Sequence, residues 1–145
     1  MTELLGNDIL ICAAVAWLVA QVFKTLIDWR INRSFDLKRM FSNGGMPSAH
    51  TASVVALTLM IAFREGLGST AFAISFVLSA IVINDAVGVR YQTGKQGKVI
   101  NKILQKVLIE GEPLTDETLM ELVGHTPTEA FFGALIGLII PIFFR

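Results

Sequence analysis

Residues 127–144 read PTEAFFGALIGLIIPIFF and decide the fold class. Glu129 is the single charged residue in this segment, and Pro127 stands where the first helical turn would begin, so its missing N–H is harmless. A helix that crosses the hydrocarbon core of a bilayer needs roughly 20 mostly apolar residues. The segment therefore predicts a membrane-spanning helix, although a short one.

Three further segments have the same character. Hydrophobic residues make up 53% of the 145-residue chain and charged residues 17%, whereas a soluble domain carries about 25% charged residues. We therefore predict one all-α domain, a polytopic membrane bundle with about four spans and short interfacial helices, and the lipid bilayer as its partner. The first three spans run from about Ile9 to Ile27, from near Pro47 to before Arg64, and from about Thr70 to Val89.

Charge and cysteine content exclude several classes of protein. The formal net charge is zero, so there is no strong field to attract nucleic acid. The single cysteine, Cys12, lies in an apolar run and excludes a disulfide framework within the chain. We expect no metal and no cofactor.

The two longer connections carry most of the cations outside the spans. By the positive-inside rule both connections are predicted to be cytoplasmic, in a multi-pass protein of the cell (inner) membrane. In the connection between the third and fourth spans, Lys95, Lys98 and Lys102 alternate with apolar residues at helical spacing. This pattern predicts a basic amphipathic helix along the membrane interface, or a solvated helix packed on the loops. A short acidic helix is predicted from about Thr115 to Val123.

Both histidines of the chain stand at the start of a predicted span. His50 ends the sequence Gly-Gly-Met-Pro-Ser-Ala-His (44–50), and His125 opens His-Thr-Pro-Thr-Glu (125–129). Ionisable residues at membrane depth are costly and often functional, and a helix N-terminus suits an anion. The alternative is that loop carbonyls satisfy both rings at the interface.

The second histidine is followed four residues later by Glu129, which can orient an imidazole from the same helix face. Thr126-Pro-Thr-Glu129 equally fits a helix capping box. Gly133 and Gly137 continue this face at four-residue steps, and small residues at that spacing allow close helix contact. We therefore expect the second and fourth spans to pack tightly and to bring the two histidines together.

These motifs resemble those of a known superfamily. Pro-Ser-Ala-His (47–50) is similar to the second motif of the type 2 phosphatidic acid phosphatase and vanadium haloperoxidase superfamily. His-Thr-Pro-Thr-Glu (125–129) resembles the end of its third motif. Asp-Ala-Val-Gly-Val-Arg (85–90) adds a likeness to a divergent branch of small bacterial and plastid membrane proteins, over essentially the whole chain.

The resemblance implies a role for each matching residue. His125 would be the nucleophile that forms a phosphohistidine, Glu129 would orient it, and His50 would protonate the leaving alcohol. Ser48 and Arg90 would bind phosphate oxygens.

The chain departs from the superfamily in four places. Residues 91–124 separate the arginine from the histidine, and Val89 stands where a serine usually precedes the arginine. Glutamate replaces aspartate, and the first motif, a lysine followed six residues later by arginine-proline, is absent. Lys24, Lys38 and Arg39 could supply the missing phosphate-binding cations, or be interfacial and topogenic residues. Arg90 has the same topogenic alternative. Asp85 could balance Arg90 or Lys24, or bind a metal.

The function predicted from the sequence is a phosphatase for a lipid-linked phosphate at the cytoplasmic face. Phosphatidylglycerophosphate, phosphatidic acid and polyprenyl phosphates are the candidate substrates. The alternative is a non-catalytic protein that binds a phosphorylated lipid or belongs to a larger assembly. A homodimer through exposed glycine or alanine faces is left open.

Overall fold

The computed structural model describes residues 6–33, 45–110 and 124–145. Within these ranges every regular element is helical, which confirms the all-α prediction. The predicted acidic helix at 115–123 and the loop residues Lys38 and Arg39 lie outside the described residues. The elements are α1 (Asp8–Asn32), α2 (Ala49–Glu65), α3 (Thr70–Val87), α4 (Val89–Glu110), α5 (Pro127–Ile139) and a terminal 3-10 helix (Ile140–Phe144).

Three segments in the described part of the chain are long and apolar enough to cross a membrane. They are Asp8–Ile31, Thr70–Leu104 and Pro127–Phe144. The predicted second span, α2, has 17 residues, which gives a helix of about 26 Å at 1.5 Å per residue, short of a hydrocarbon core of about 30 Å. The protein is thus an all-α membrane bundle with three full-length candidate spans and one shorter helix.

The shorter helix α2 occupies the centre of the bundle and contacts α1, α3 and α5. Small residues make this possible, because alanine allows two helix backbones to approach closely. Ala52 and Ala56 are fully buried against the alanine face of α1, where Ala16 and Ala20 are also fully buried. On the α3 side Thr58 and Ser79 exchange a 2.8 Å hydroxyl hydrogen bond.

Helices α2 and α5 pack through the two glycines that the sequence singled out. A Cβ atom on Gly133 would collide with the carbonyl oxygen of Ser48. A Cβ on Gly137 would stand 2.6 Å from the carbonyl oxygen of Ala52 and 2.7 Å from Cβ of Val55. Backbone contact at this range requires glycine, so the predicted tight packing of the second and fourth predicted spans is confirmed.

Helix α3 ends at Gly88, where φ is −99° and ψ is −88°, and α4 begins at the next residue. The N–H of Gly88 donates to the carbonyl oxygen of Asn84 at 2.8 Å and closes α3. The following helix α4 is the predicted basic amphipathic helix, and Val99, Ile100 and Ile103 are exposed on it. Its position along a membrane interface stays a prediction.

The two ends of the bundle are distinct. At one end the start of α1 meets the end of α2, where Arg64 forms an ion pair of 2.7 Å with Asp8. The same guanidinium lies 3.4 Å from the carbonyl oxygen of Phe144. We call this the Arg64 end, and the opposite end, where α2 and α5 begin, the histidine end.

Candidate active site

The two histidine rings lie side by side at the histidine end. Their centroids are 6.4 Å apart and their planes are inclined by 54°, so they are not stacked. His50 is the second residue of α2 and is exposed, whereas His125 directly precedes the N-cap of α5 and is 4% exposed. The predicted convergence of the two rings is therefore found.

Glu129 holds one nitrogen of the buried ring. Its Oε2 lies 3.2 Å from Nδ1 of His125 and accepts a hydrogen bond of 3.1 Å from the backbone N–H of Thr126. The hydroxyl of Thr126 accepts in turn from the N–H of Glu129 at 3.3 Å, which completes a capping box. The two readings of this motif are therefore compatible: one carboxylate caps the helix and orients the imidazole. Nε2 of His125 is left for another partner.

Two backbone hydrogen bonds connect the three motifs at the site. The N–H of His125 donates to the carbonyl oxygen of Ala86 in α3 at 2.9 Å. The N–H of Ser48 donates to the carbonyl oxygen of Glu129 at 3.0 Å. Together they tie α3, α2 and α5 around the rings. Backbone partners this far apart in the chain leave no mark in the sequence, so Ala86 could not have been identified from it.

Arg90 reaches the same end although 34 residues separate it from His125 in the sequence. The chain returns to it at Gly124, where φ is +88° and an added Cβ would collide with the backbone of Arg90 and Tyr91. Since Gly124 directly precedes His125, this contact brings the arginine and the histidine back together. The contact between Gly124 and Arg90 thus offsets the long separation of the arginine and the histidine in the sequence.

The guanidinium of Arg90 is paired with Asp85. Nε donates to Oδ2 of Asp85 at 2.5 Å, and both side chains are partly exposed. Of the alternatives for Asp85, the structure favours the charge partner of Arg90. Pairing through Nε leaves the two terminal nitrogens of the guanidinium for an anion. Among the described residues no group of three or more His, Cys, Asp or Glu is placed to hold a metal ion.

Lys24 comes to the site from α1. It is 7% exposed, and its Cε would lie 3.1 Å from a Cβ on Gly45, the residue that leads into Pro47. The charges of Glu129 and Asp28 act on its ammonium group. His50 in turn lies within electrostatic range of His125, Arg90 and Lys24. A buried lysine needs such compensation, and a simple snorkelling lysine would extend to the surface instead.

Ser48 differs from the other predicted phosphate ligands. It is 0% exposed, and its Oγ accepts hydrogen bonds from the N–H of Thr51 at 3.3 Å and from its hydroxyl at 3.0 Å. The serine is thus the N-cap of α2 and, through its backbone, a tie to α5. Both bonds use the oxygen as an acceptor, and a phosphate oxygen would need its O–H as a donor, so phosphate binding by Ser48 stays a prediction. Lys38 and Arg39, predicted for the same purpose, lie outside the described residues.

Comparison with known proteins identifies the family of the chain. A family model described as "Divergent PAP2 family" matches residues 5–140. The chain is 38% identical over 148 residues to a Bacillus subtilis (strain 168) protein named "Uncharacterized membrane protein YuiD", an alignment that covers 95% of this chain and 94% of the relative. No solved structure matches the chain. The two histidines, the arginine and the acid thus converge in a membrane protein that belongs to the Divergent PAP2 family.

Proposed function

We propose that the protein hydrolyses a lipid-linked phosphate through a phosphohistidine on His125. The observation that carries this proposal is the pair of rings 6.4 Å apart, with Glu129 on the inner nitrogen of one of them. A near-attack contact takes about 3 Å and a catalytic hydrogen bond about 3 Å. With one such contact on each side, a phosphoryl group between the two rings would need them to be roughly 6 Å apart or slightly more, which is close to the observed distance between the ring centroids. Binding alone would require neither two imidazoles nor an orienting carboxylate.

In the first step Nε2 of His125 attacks phosphorus and the bond from phosphorus to the ester oxygen breaks. Protonated His50 donates its proton to that oxygen, so the alcohol leaves neutral. Glu129 holds Nδ1–H and stabilises the positive charge that develops on the ring. The products of this step are the free alcohol, a phosphohistidine and a neutral His50.

In the second step water attacks phosphorus and the bond from phosphorus to Nε2 breaks. Neutral His50 takes a proton from the water and is ready for the next cycle. Inorganic phosphate leaves, and His125 regains its starting form with Nδ1–H on Glu129. Every proton is thereby carried by a residue within the site.

The negative oxygens of the phosphoryl group need several positive partners. The terminal nitrogens of Arg90 fit two of these oxygens, because a guanidinium fork matches their spacing. The ammonium of Lys24 adds a second charge, which would take the place of the missing first motif. The free N–H groups at the start of α2 and its positive dipole end add a third contribution. Lys38 and Arg39 stay candidates for the same task.

The position of the site suits a substrate that stays in the bilayer. Large apolar side chains are exposed on the helices around it, including Phe23 and Leu26 of α1 and Phe131 of α5. Acyl or polyprenyl chains could remain against these surfaces while the headgroup enters the polar end. We infer that this end faces the cytoplasm, because most of the described lysines and arginines lie toward it, whereas the Arg64 end carries Arg64 and Arg145.

The direct test is phosphate release by detergent-purified protein from a panel of lipid phosphates. The panel holds phosphatidylglycerophosphate, phosphatidic acid and a polyprenyl phosphate, and vanadate is expected to inhibit by occupying the phosphoryl position. His125→Ala should abolish release while circular dichroism and thermal melting stay close to those of the wild type. Full activity in that variant would contradict the nucleophile. No release by the wild type from any substrate would favour the non-catalytic lipid-binding alternative.

A further inference from the structure

One buried polar group near the site has no use in the mechanism above. The side-chain oxygen Oε1 of Gln21 is fully buried and has no hydrogen-bond partner among the residues that the structure describes. The whole residue is 6% exposed. Buried polar groups in native proteins are nearly always paired, since an unpaired carbonyl loses its hydration without return. At membrane depth, where water is scarce, the loss is more severe.

Gln21 belongs to the stripe of α1 that faces α5. Trp17, Gln21, Lys24 and Asp28 follow one another at four, three and four residues and so lie on one side of the helix. Trp17 packs in the cluster that includes Ile136 of α5, and Lys24 interacts with the charge of Glu129, also of α5. Gln21 stands between these two levels. Gln21 therefore lies almost one helical turn below Lys24 on the same side of α1.

The position of Gln21 along α1 indicates which part of the substrate could donate a hydrogen bond to Oε1. Gln21 precedes Lys24 by three residues, so it lies about 4.5 Å further into the membrane at 1.5 Å per residue. The proposed substrate has its phosphoryl group beside Lys24 and His125, and its hydrocarbon below. The part of the substrate at the level of Gln21 is the carbon skeleton next to the ester oxygen. A hydroxyl there would donate to Oε1.

We propose that Gln21 accepts a hydrogen bond from a free hydroxyl on the alcohol part of the substrate, close to the phosphoester. This inference rests on the proposed function and narrows its substrate class. It selects phosphate monoesters of glycerol-type alcohols with a free hydroxyl, and it disfavours polyprenyl phosphates and fully acylated glycerol phosphates. Gln21 is then a specificity-determining residue.

The test uses two lipids that differ by one hydroxyl group, 1-acylglycerol 3-phosphate and its 2-deoxy analogue. A site built to bind a hydroxyl discriminates strongly against the analogue that lacks it, so wild-type kcat/KM should be about 10-fold or more higher for the hydroxyl compound. Gln21→Met keeps the length of the side chain and removes the amide. In this variant kcat/KM should fall for the hydroxyl compound, stay unchanged for the analogue, and so erase the preference.

Two further measurements separate this inference from a structural role and from the failure of catalysis. Because Oε1 has no partner within the described residues, Gln21→Met should not lower the melting temperature. Ser53→Ala is the matched control, since its hydroxyl donates to the carbonyl oxygen of Ala13 at 3.3 Å between α1 and α2, and it should not change the preference. Binding without turnover is measured as thermal stabilisation of His125→Ala, where the hydroxyl compound should raise the melting temperature more than its analogue.

Equal wild-type kcat/KM for the two lipids would overturn the inference, as would a Gln21→Met variant that keeps the preference or loses activity on both lipids together with stability. If no lipid is hydrolysed but the thermal shifts still differ, the proposed function fails and the hydroxyl site stands. If both lipids are hydrolysed alike and stabilise alike, the hydroxyl site fails and the proposed function stands. The two failures are therefore distinguishable.

Discussion

The Arg64 end and the histidine end of the bundle deal with charge in opposite ways. At the Arg64 end the ion pair with Asp8 is about half exposed, so water screens it and little is lost if it breaks. At the histidine end Lys24, His125 and Gln21 are buried among helices, which is costly. Stability alone would favour the first arrangement at both ends. We infer from this difference that the buried polar groups serve a function, which under the proposal above is phosphate chemistry.

The largest effect is expected from the carboxylate that serves two purposes. Glu129→Gln keeps an acceptor for the N–H of Thr126, and glutamine is also found at this position of capping boxes. The variant removes the negative charge beside His125, and in a comparable triad that change costs about 10⁴ in kcat. We expect a loss of about 10²–10⁴ in phosphate release with a nearly unchanged melting curve. A clearly lower melting temperature, with a loss of phosphate release that the loss of folded protein accounts for, would mean that Glu129 acts only as a helix cap.

The next effect concerns the packing that brings the rings together. Gly133→Ala places a methyl group against the carbonyl oxygen of Ser48, and overpacking of this kind costs about 1–3 kcal/mol. We expect a lower melting temperature together with reduced phosphate release, because the displaced carbonyl belongs to the residue that caps α2. Gly68→Ala is the control, since a Cβ there meets nothing within 4 Å. Equal melting temperatures in the two variants would contradict the close contact.

A smaller effect is expected when the partner of Arg90 loses its charge. In Asp85→Asn the amide oxygen can still accept from Nε, but the weaker bond holds the guanidinium less firmly at the phosphoryl position. We expect activity to fall about 10-fold, which corresponds to about 1.4 kcal/mol. Stability should change by less than about 1 kcal/mol, because the pair is partly exposed. Phosphate release and thermal melting are measured on the same preparation. Unchanged activity would show that Arg90 does not contact the substrate.

The smallest effect is expected at the other end, where Asp8→Asn breaks an ion pair of similar exposure. Stability should fall by about 0–1 kcal/mol, as is typical of exposed pairs. Activity should stay the same, because Asp8 lies at the far end of α1 from Lys24. Comparison with Asp85→Asn then separates the loss of an ion pair from the loss of its function. A loss of activity in Asp8→Asn as large as that in Asp85→Asn would contradict the functional difference between the two ends.

The sequence predicted the parts of this account that depend on local pattern. Apolar segments of helical length defined the bundle, and the spacing of Gly133 and Gly137 identified the contact between α2 and α5. This packing, together with the position of both histidines at helix starts, predicted that the two rings lie close together. These features are encoded within one or two helical turns, so a single sequence reveals them.

Other features depend on contacts between distant backbones and were missed or left open. The return of the chain at Gly124 to Arg90 is one, and the hydrogen bond from His125 to Ala86 is another. The second role of Ser48 is a further case, since its hydroxyl oxygen caps α2 while phosphate binding by its O–H stays a prediction. Gln21 could not be identified from the sequence, because one glutamine in an apolar helix belongs to no recognisable motif. Its buried oxygen, unpaired among the described residues, is visible only in three dimensions.

The central claim, that His125 carries the phosphoryl group, is tested most directly by trapping the intermediate. The protein is mixed with a radiolabelled lipid phosphate, quenched in alkali within the first turnover, digested and mapped by mass spectrometry. We expect an acid-labile, alkali-stable phosphoryl group on His125 that is absent from His125→Ala. Turnover of the substrate with no labelled histidine, or with the label on His50, would contradict it.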